Sequence, residues 1–181
     1  MQSKHWTPEL IDAMALLDEQ KLAMQANLAV MRCLDVQVKA LERSILAKAK
    51  LRQDYQALKT VSGIGDILAL TIALETGDVA RFDSAGNFAS YARTVGSRRE
   101  SNGKKKGEGN AKCGNKHLAW AFIEAAHFAV RYDTAIKRWY QRKCSNGLAV
   151  VAIKAVAHKL ARACWHVMKE GKPFDVARAF G

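Results

Sequence analysis

Proline is close to absent from this 181-residue chain: there are two, Pro8 and Pro173, and none between them. Proline breaks helix interiors, so nothing of that kind interrupts helices over most of the length. No apolar run approaches the ~18 residues that a membrane span requires. The start, MQSKHWTPEL, has no apolar core of a signal peptide. The four cysteines, Cys33, Cys113, Cys144 and Cys164, form no Cys-x-x-Cys pair. A membrane protein and a disulfide-stapled secreted scaffold are therefore not expected. The expected setting is the cytoplasm, with reduced thiols and no membrane partner. Acidic residues are also in deficit, 17 Asp plus Glu against 29 Lys plus Arg, for a net charge of +12.

What is present points to helices. Alanine, which enters a helix at the least cost of any residue, occurs 30 times, and 49% of the chain is hydrophobic. The predicted fold class is all-α, which leaves little room for a β-sandwich or a disordered chain. The positive charge is uneven. Residues 1–60 hold 9 basic and 7 acidic side chains and residues 61–181 hold 20 and 10, so the net charge is +2 and then +10. Such a bias fits a polyanion partner, nucleic acid before a membrane surface; a merely solubilising surface is the alternative.

Residues 1–57 read as one long helix. Thr7 can cap it, with Pro8 in its first turn. Apolar residues then recur in steps of four and three: Leu10, Met14, Leu17, Met24, Leu28, Met31, then Leu34, Val38, Leu41 and Ile45. Lys21 interrupts the seam once, and a three-residue slip precedes Leu34. A narrow seam of period near 3.5 implies a partner helix, either from a second copy or from elsewhere in a longer protein; packing on the chain's own bundle is the alternative. Homo-oligomerisation through this helix is the expectation.

Residues 58–172 read as a compact helical domain, and 173–181 as a loosely held tail. Gly63 and Gly65 punctuate a turn before a helical stretch from Asp66 to about Thr76. This order resembles a helix-hairpin-helix motif, in which glycines let a turn approach a phosphate and the next helix N-terminus faces the anion. A tight turn that binds nothing is the other reading. Ser84 can cap a short helix, with Phe82, Phe88 and Tyr91 as core. From Thr94 to Asn115 periodicity vanishes into a glycine-rich loop carrying Arg98, Arg99, Lys104, Lys105, Lys106 and Lys112, with Lys116 beside it. A long basic loop of this kind suits phosphate contacts. Three helices are then predicted over 115–132, 134–143 and 148–169.

The chain has no acidic cluster suited to two metal ions and no Walker A loop. Cys113 and His117, spaced i, i+4, are compatible with a zinc site, although a small buried hydrophobe is the ordinary role of cysteine. Ser101 stands in the basic loop. A serine hydroxyl becomes a useful nucleophile only with a base or positive surroundings, which could stabilise a phosphodiester transition state; otherwise it is an ordinary loop serine.

Three features together carry a family resemblance: the Gly63-x-Gly65 turn, the Arg81-Phe82 pair, and Ser101-x-Gly103 followed by Lys112-x-Gly114-Asn115. Over about residues 55–170 the chain resembles the C-terminal domain of IS110-family bacterial insertion-sequence transposases, most of all the one-eleven-eleven subgroup. The preceding helix is similar to that family's coiled coil. The resemblance implies DNA cutting and rejoining, a structured guide RNA that selects the DNA partners, and Ser101 as nucleophile rather than Ser97. The implied DNA contacts are Gly63, Gly65, Arg98, Arg99, Lys104, Lys105, Lys106, Lys112, Asn115 and Lys116. It also implies an acidic RuvC-like domain, of which this sequence shows no sign. No cofactor is expected in this chain, and Mg2+ only with that acidic domain. The chain is thus expected to be a truncated or excised half that binds nucleic acid and recombines poorly alone. A non-catalytic dimerising or regulatory module is the alternative.

Overall fold

The computed structural model describes residues 6–96, 98–108, 113–145 and 147–181. It is all-α apart from one two-stranded ribbon, and divides into two compact units, Met1–Lys48 and Ala49–Gly181.

In the first unit, Thr7 accepts from the Leu10 N–H at 3.2 Å and opens α1 (Pro8–Asp12), with Pro8 in the first turn. The single helix expected from here does not form. Residues 13–17 turn, and α2 (Asp18–Ala49) starts afresh with Asp18 and Glu19 in its first turn. Local propensity favours helix in this alanine- and leucine-rich stretch, but side-chain bonds win. The Leu17 N–H donates to Gln20 Oε1 at 3.2 Å, Lys21 Nζ donates to the Asp12 carbonyl at 2.9 Å, and Gln25 Nε2 donates to Asp12 Oδ1 at 2.7 Å. Ile11 and Leu28 are buried as a result. The remainder of the seam, Met31, Leu34, Val38, Leu41 and Ile45, is exposed.

The second unit is built around α6 (Lys116–Tyr132) and α8 (Ala149–Glu170), which pack on each other. Around them lie α3 (Gln53–Leu58), α4 (Asp66–Thr76), α5 (Ala85–Tyr91), α7 (Thr134–Cys144) and a final α9 (Val176–Phe180). The helical repeats read from the sequence supply this core. Leu118, Phe122 and Ala126 of α6 and Val156, Leu160 and Cys164 of α8 are fully buried, with Phe88 and Ile136 between. Burying one such large apolar side chain contributes about 1.5–3 kcal/mol. Ser84 caps α5 as the sequence indicates, accepting from the Asn87 N–H, while Asn115 opens α6 and Asp133 opens α7, caps not read from the sequence.

Two further expectations are corrected. The stretch read as an irregular loop contains an antiparallel ribbon, β1 (Arg98–Ser101) and β2 (Lys104–Glu108). The tail, expected to be loosely held, forms α9: Asp175 accepts from the Ala177 and Arg178 N–H groups, and buried Phe180 meets Trp139 edge-on at 5.5 Å.

Candidate nucleic-acid interface

Ser101 ends β1, and only Asn102 and Gly103 separate it from Lys104. Asn102 has φ 54° and Gly103 φ 72°. Two successive positive φ values are the requirement of a type I′ turn, for which Asn-Gly is the preferred pair. Sequence reasoning missed this hairpin because its strands carry charge in place of an alternating apolar face; the Asn-Gly dipeptide was the available signal. Ser101 is paired with Lys104 across the tip, and both are exposed. Below the tip, Glu100 pairs with Lys105, Arg99 with Gly107 and Arg98 with Glu108. The register shifts between Arg99 and Glu100, leaving Lys106 as the extra residue of a bulge. Arg98, Arg99, Lys104, Lys105 and Lys106 thus share one short ribbon with Ser101. Ser97 and Lys112 lie outside the described residues.

The ribbon grows from a stem whose parts are spread along the sequence. At the end of α5, Arg93 has φ 56°, and the Thr94 N–H and hydroxyl both donate to the buried Ala89 carbonyl. Arg93 Nε donates to the Cys113 carbonyl at 2.8 Å, and the Asn115 N–H donates to the Tyr91 carbonyl at 2.7 Å. Gly114 has φ +83°, and a Cβ there would stand 2.5 Å from that same carbonyl oxygen. Only glycine lets the chain close here. Asn115 accepts from the His117 and Leu118 N–H groups and donates from its amide to Glu75 at 2.6 Å. Arg81 lies over the Phe82 and Tyr91 rings. Hydrogen bonds from Arg81 and then Asn115 lower the Tyr91 phenol below its ordinary value. Glu75 is a member of this stem that the sequence did not single out, since it sits in no recognisable motif; Tyr91, expected as core, is half-buried.

The glycine turn is elsewhere. Gly63, at φ +87°, faces α6: an added Cβ would lie 2.3 Å from the Ala125 carbonyl oxygen and 2.6 Å from the Ala129 nitrogen. Its missing side chain therefore serves a close helix approach. Gly65 is open, with nothing within 4 Å of a built Cβ, and caps α4. Ser62 donates to Asp133 at 2.7 Å, tying the turn to the start of α7. Asp66, first in α4, accepts from the Tyr55 hydroxyl and from Lys59, both at 2.7 Å. Lys59 and Tyr55 depress its carboxyl, while burial and that same bond push the Tyr55 phenol up to about 12. Ala125 and Asn115 are some ten residues apart on α6, roughly 15 Å at the helical rise. The structure thus brings Ser101, the ribbon cations, Asn115 and Lys116 to one end of α6 and leaves Gly63 and Gly65 towards the other.

Of the cysteines, Cys33 and Cys113 are exposed and Cys164 is buried, which pushes its thiol up. Among the described residues no three His, Cys, Asp or Glu side chains cluster to hold a metal, and no helix is long and apolar enough to cross a membrane.

In sequence, this chain is similar to transposases and other proteins of bacterial insertion elements. Residues 55–141 match the model of the transposase IS116/IS110/IS902 family. A probable family 20 transposase of Pseudomonas aeruginosa is 29% identical over 142 residues, 76% of this chain and 42% of its own length. The transposase for insertion sequence element IS1328 of Yersinia enterocolitica is 27% identical over 143 residues, 77% of this chain and 43% of the relative. An insertion element IS116 protein of 44.8 kDa from Streptomyces clavuligerus is 22% identical over 145 residues, 80% and 36% of the two chains. The chain spans less than half the length of the curated relatives it matches.

Proposed function

We propose that this chain supplies the DNA-engaging half of a transposase and that Ser101 is its nucleophile. The observation that carries this reading is the position of Ser101, exposed at the tip of a turn beside Lys104 on a ribbon of cations. The Ser101 hydroxyl oxygen attacks a DNA phosphorus, a serine–phosphate ester forms, and the P–O bond to the neighbouring nucleotide breaks. The serine proton goes to solvent or to the departing oxygen, which leaves as a strand-end hydroxyl. Attack by a hydroxyl from another strand reverses the step, rejoins DNA and restores the serine. Positive charge lowers the barrier by stabilising the phosphorane-like transition state. Arg98, Arg99, Lys104, Lys105, Lys106, Lys112 and Lys116 hold phosphates, and Gly65, with Gly63 shaping the turn, offers backbone N–H groups to a second stretch of the strand. In the full-length enzyme a structured RNA selects the DNA partners.

The exposed seam from Met31 to Ile45 supports self-association through α2. It also favours a second reading, a dimerising nucleic-acid-binding module without chemistry. Incubation with a nicked suicide DNA duplex separates the two. The first reading expects a covalent protein–DNA adduct that Ser101→Ala abolishes and Ser97→Ala leaves. Duplex binding without any adduct, in the presence and absence of the element's RNA, would leave the second reading standing. Absence of duplex and RNA binding even at low salt would sink both, because phosphate contacts by several cations give affinity that falls steeply with added salt.

A further inference from the structure

The second unit holds a cavity of about 410 Å3 between α8 and the segment that leads into α9. Its size lies in the range of small-molecule sites, about 300–1,000 Å3. It is a built wall and not a frayed end. The Phe174 N–H donates to Thr60 Oγ1 at 2.9 Å, Lys159 Nζ donates to the Ala179 carbonyl at 2.6 Å, and Phe180 is buried on Trp139.

The lining divides by chemistry. Phe174, Pro173, Ala163 and Val167 give it an apolar chamber. His158 lines the same chamber, and its Nδ1 is buried with no hydrogen-bond partner in the protein. Burial, followed by Arg162 and Lys159, lowers the His158 pKa, so the ring is neutral at pH 7 and can meet a donor or an acceptor. The two carboxylates at the cavity are already engaged. Glu170 accepts two bonds from Arg178, at 3.1 and 3.2 Å, and one contact from His166 at 3.0 Å; Asp175 caps α9. Among the described residues no carboxylate pairs with Arg162 or Lys172, and both are exposed at the rim.

An apolar chamber lined by an imidazole and a phenyl ring, with two cations at its mouth that pair with no described carboxylate, suits a flat aromatic group bearing an anion. We infer that this pocket takes one unpaired nucleotide of a single-stranded nucleic acid, its base in the chamber with Phe174 and His158 and its phosphate on Arg162 and Lys172. A base inside a duplex cannot enter, so the pocket favours single strands, DNA or RNA, over duplex. The inference rests on the nucleic-acid reading above for the source of the strand and is independent of Ser101.

The test compares binding of a short labelled oligothymidylate, the matching oligouridylate and a duplex by the full chain, using fluorescence anisotropy. Arg162→Ala combined with Lys172→Ala, and separately Phe174→Ala, should weaken single-strand binding about tenfold or more while duplex binding changes by less than about twofold. Lys137→Ala with Arg138→Ala, on the exposed face of α7, removes the same charge and should weaken both forms alike. Equal losses for duplex and single strands in the pocket variants would overturn the pocket and leave the nucleic-acid reading intact. Whichever of the thymidylate and uridylate strands loses affinity identifies the source. Should the wild-type chain bind no strand at all, the nucleic-acid reading fails, and thymidine monophosphate decides the pocket: a shift of the His158 ring resonances that Phe174→Ala removes upholds it, and no shift overturns it.

Discussion

Gly63 and Gly65 stand two residues apart in one turn, yet their Cα hydrogens face different surroundings. A methyl group at Gly63 would enter the backbone of α6, in a φ that L side chains rarely adopt. Gly63→Ala is expected to destabilise the second unit by about 2 kcal/mol or more in urea unfolding. Gly65→Ala meets empty space and should cost less than about 1 kcal/mol, the price of a poorer helix cap. Gly65→Ala is therefore the variant that reads any phosphate contact at this turn, because its effect on duplex affinity is not mixed with unfolding. Glu170 gives a pH-dependent outcome. Its carboxyl is lowered from 4.5 to about 2 by the paired hydrogen bonds from Arg178 and then by His166. A group depressed in the fold contributes stability above its unfolded pKa and loses it as pH falls through the folded one. The α9 contact with Trp139 should therefore loosen between pH 4.5 and about 2, followed by the Trp139 indole NMR resonance, and Arg178→Ala should remove that dependence.

Among elements, the ribbon shows how little a sequence pattern says when no apolar face is involved. Helices α6, α7 and α8 were legible to within a residue or two, because each buries a stripe at period 3.6. The strands Arg98–Ser101 and Lys104–Glu108 contain no apolar residue to make such a stripe, and lysine and glutamate are poor strand formers. What selects the hairpin is a turn with two positive φ values and a stem closed by Gly114 and Asn115. A valine at position 103 would have to adopt that left-handed geometry at a cost of about 1–2 kcal/mol. Gly103→Val is expected to cut the Ser101 adduct yield by about tenfold, while thermal unfolding of the helical core stays within about 0.5 kcal/mol of wild type. Equal adduct yield would show that the turn does not position Ser101. The break between α1 and α2 has the opposite origin. Helix propensity runs through residues 13–17, but contacts from Lys21 and Gln25 to Asp12 turn the chain back on itself.

At the scale of the molecule, the exposed α2 seam is the feature a lone chain leaves unsatisfied. Leu34 and Leu41 are 58% and 62% exposed, one seven-residue repeat apart. Sedimentation is expected to show a dimer or higher oligomer, and Leu34→Asp with Leu41→Asp should shift it to monomer without lowering the melting point of the second unit. A monomeric wild type at micromolar concentration would discard the coiled-coil reading. The relatives are more than twice the length of the segment they share with this chain.

By itself the sequence determined the helical class, the period and extent of the core helices, the caps at Thr7 and Ser84, the concentration of positive charge and the resemblance to insertion-sequence transposases. All of these are local or compositional signals, readable within a few turns of chain. Tertiary structure decided what depends on residues far apart in sequence. It turned Gly63 towards Ala125 and Ala129, anchored the last nine residues through Thr60 and Trp139, and joined Asn115 to Tyr91 and Glu75 so that the basic ribbon projects from one stem. A periodic stripe specifies that a face is buried; only the assembled chain specifies against what.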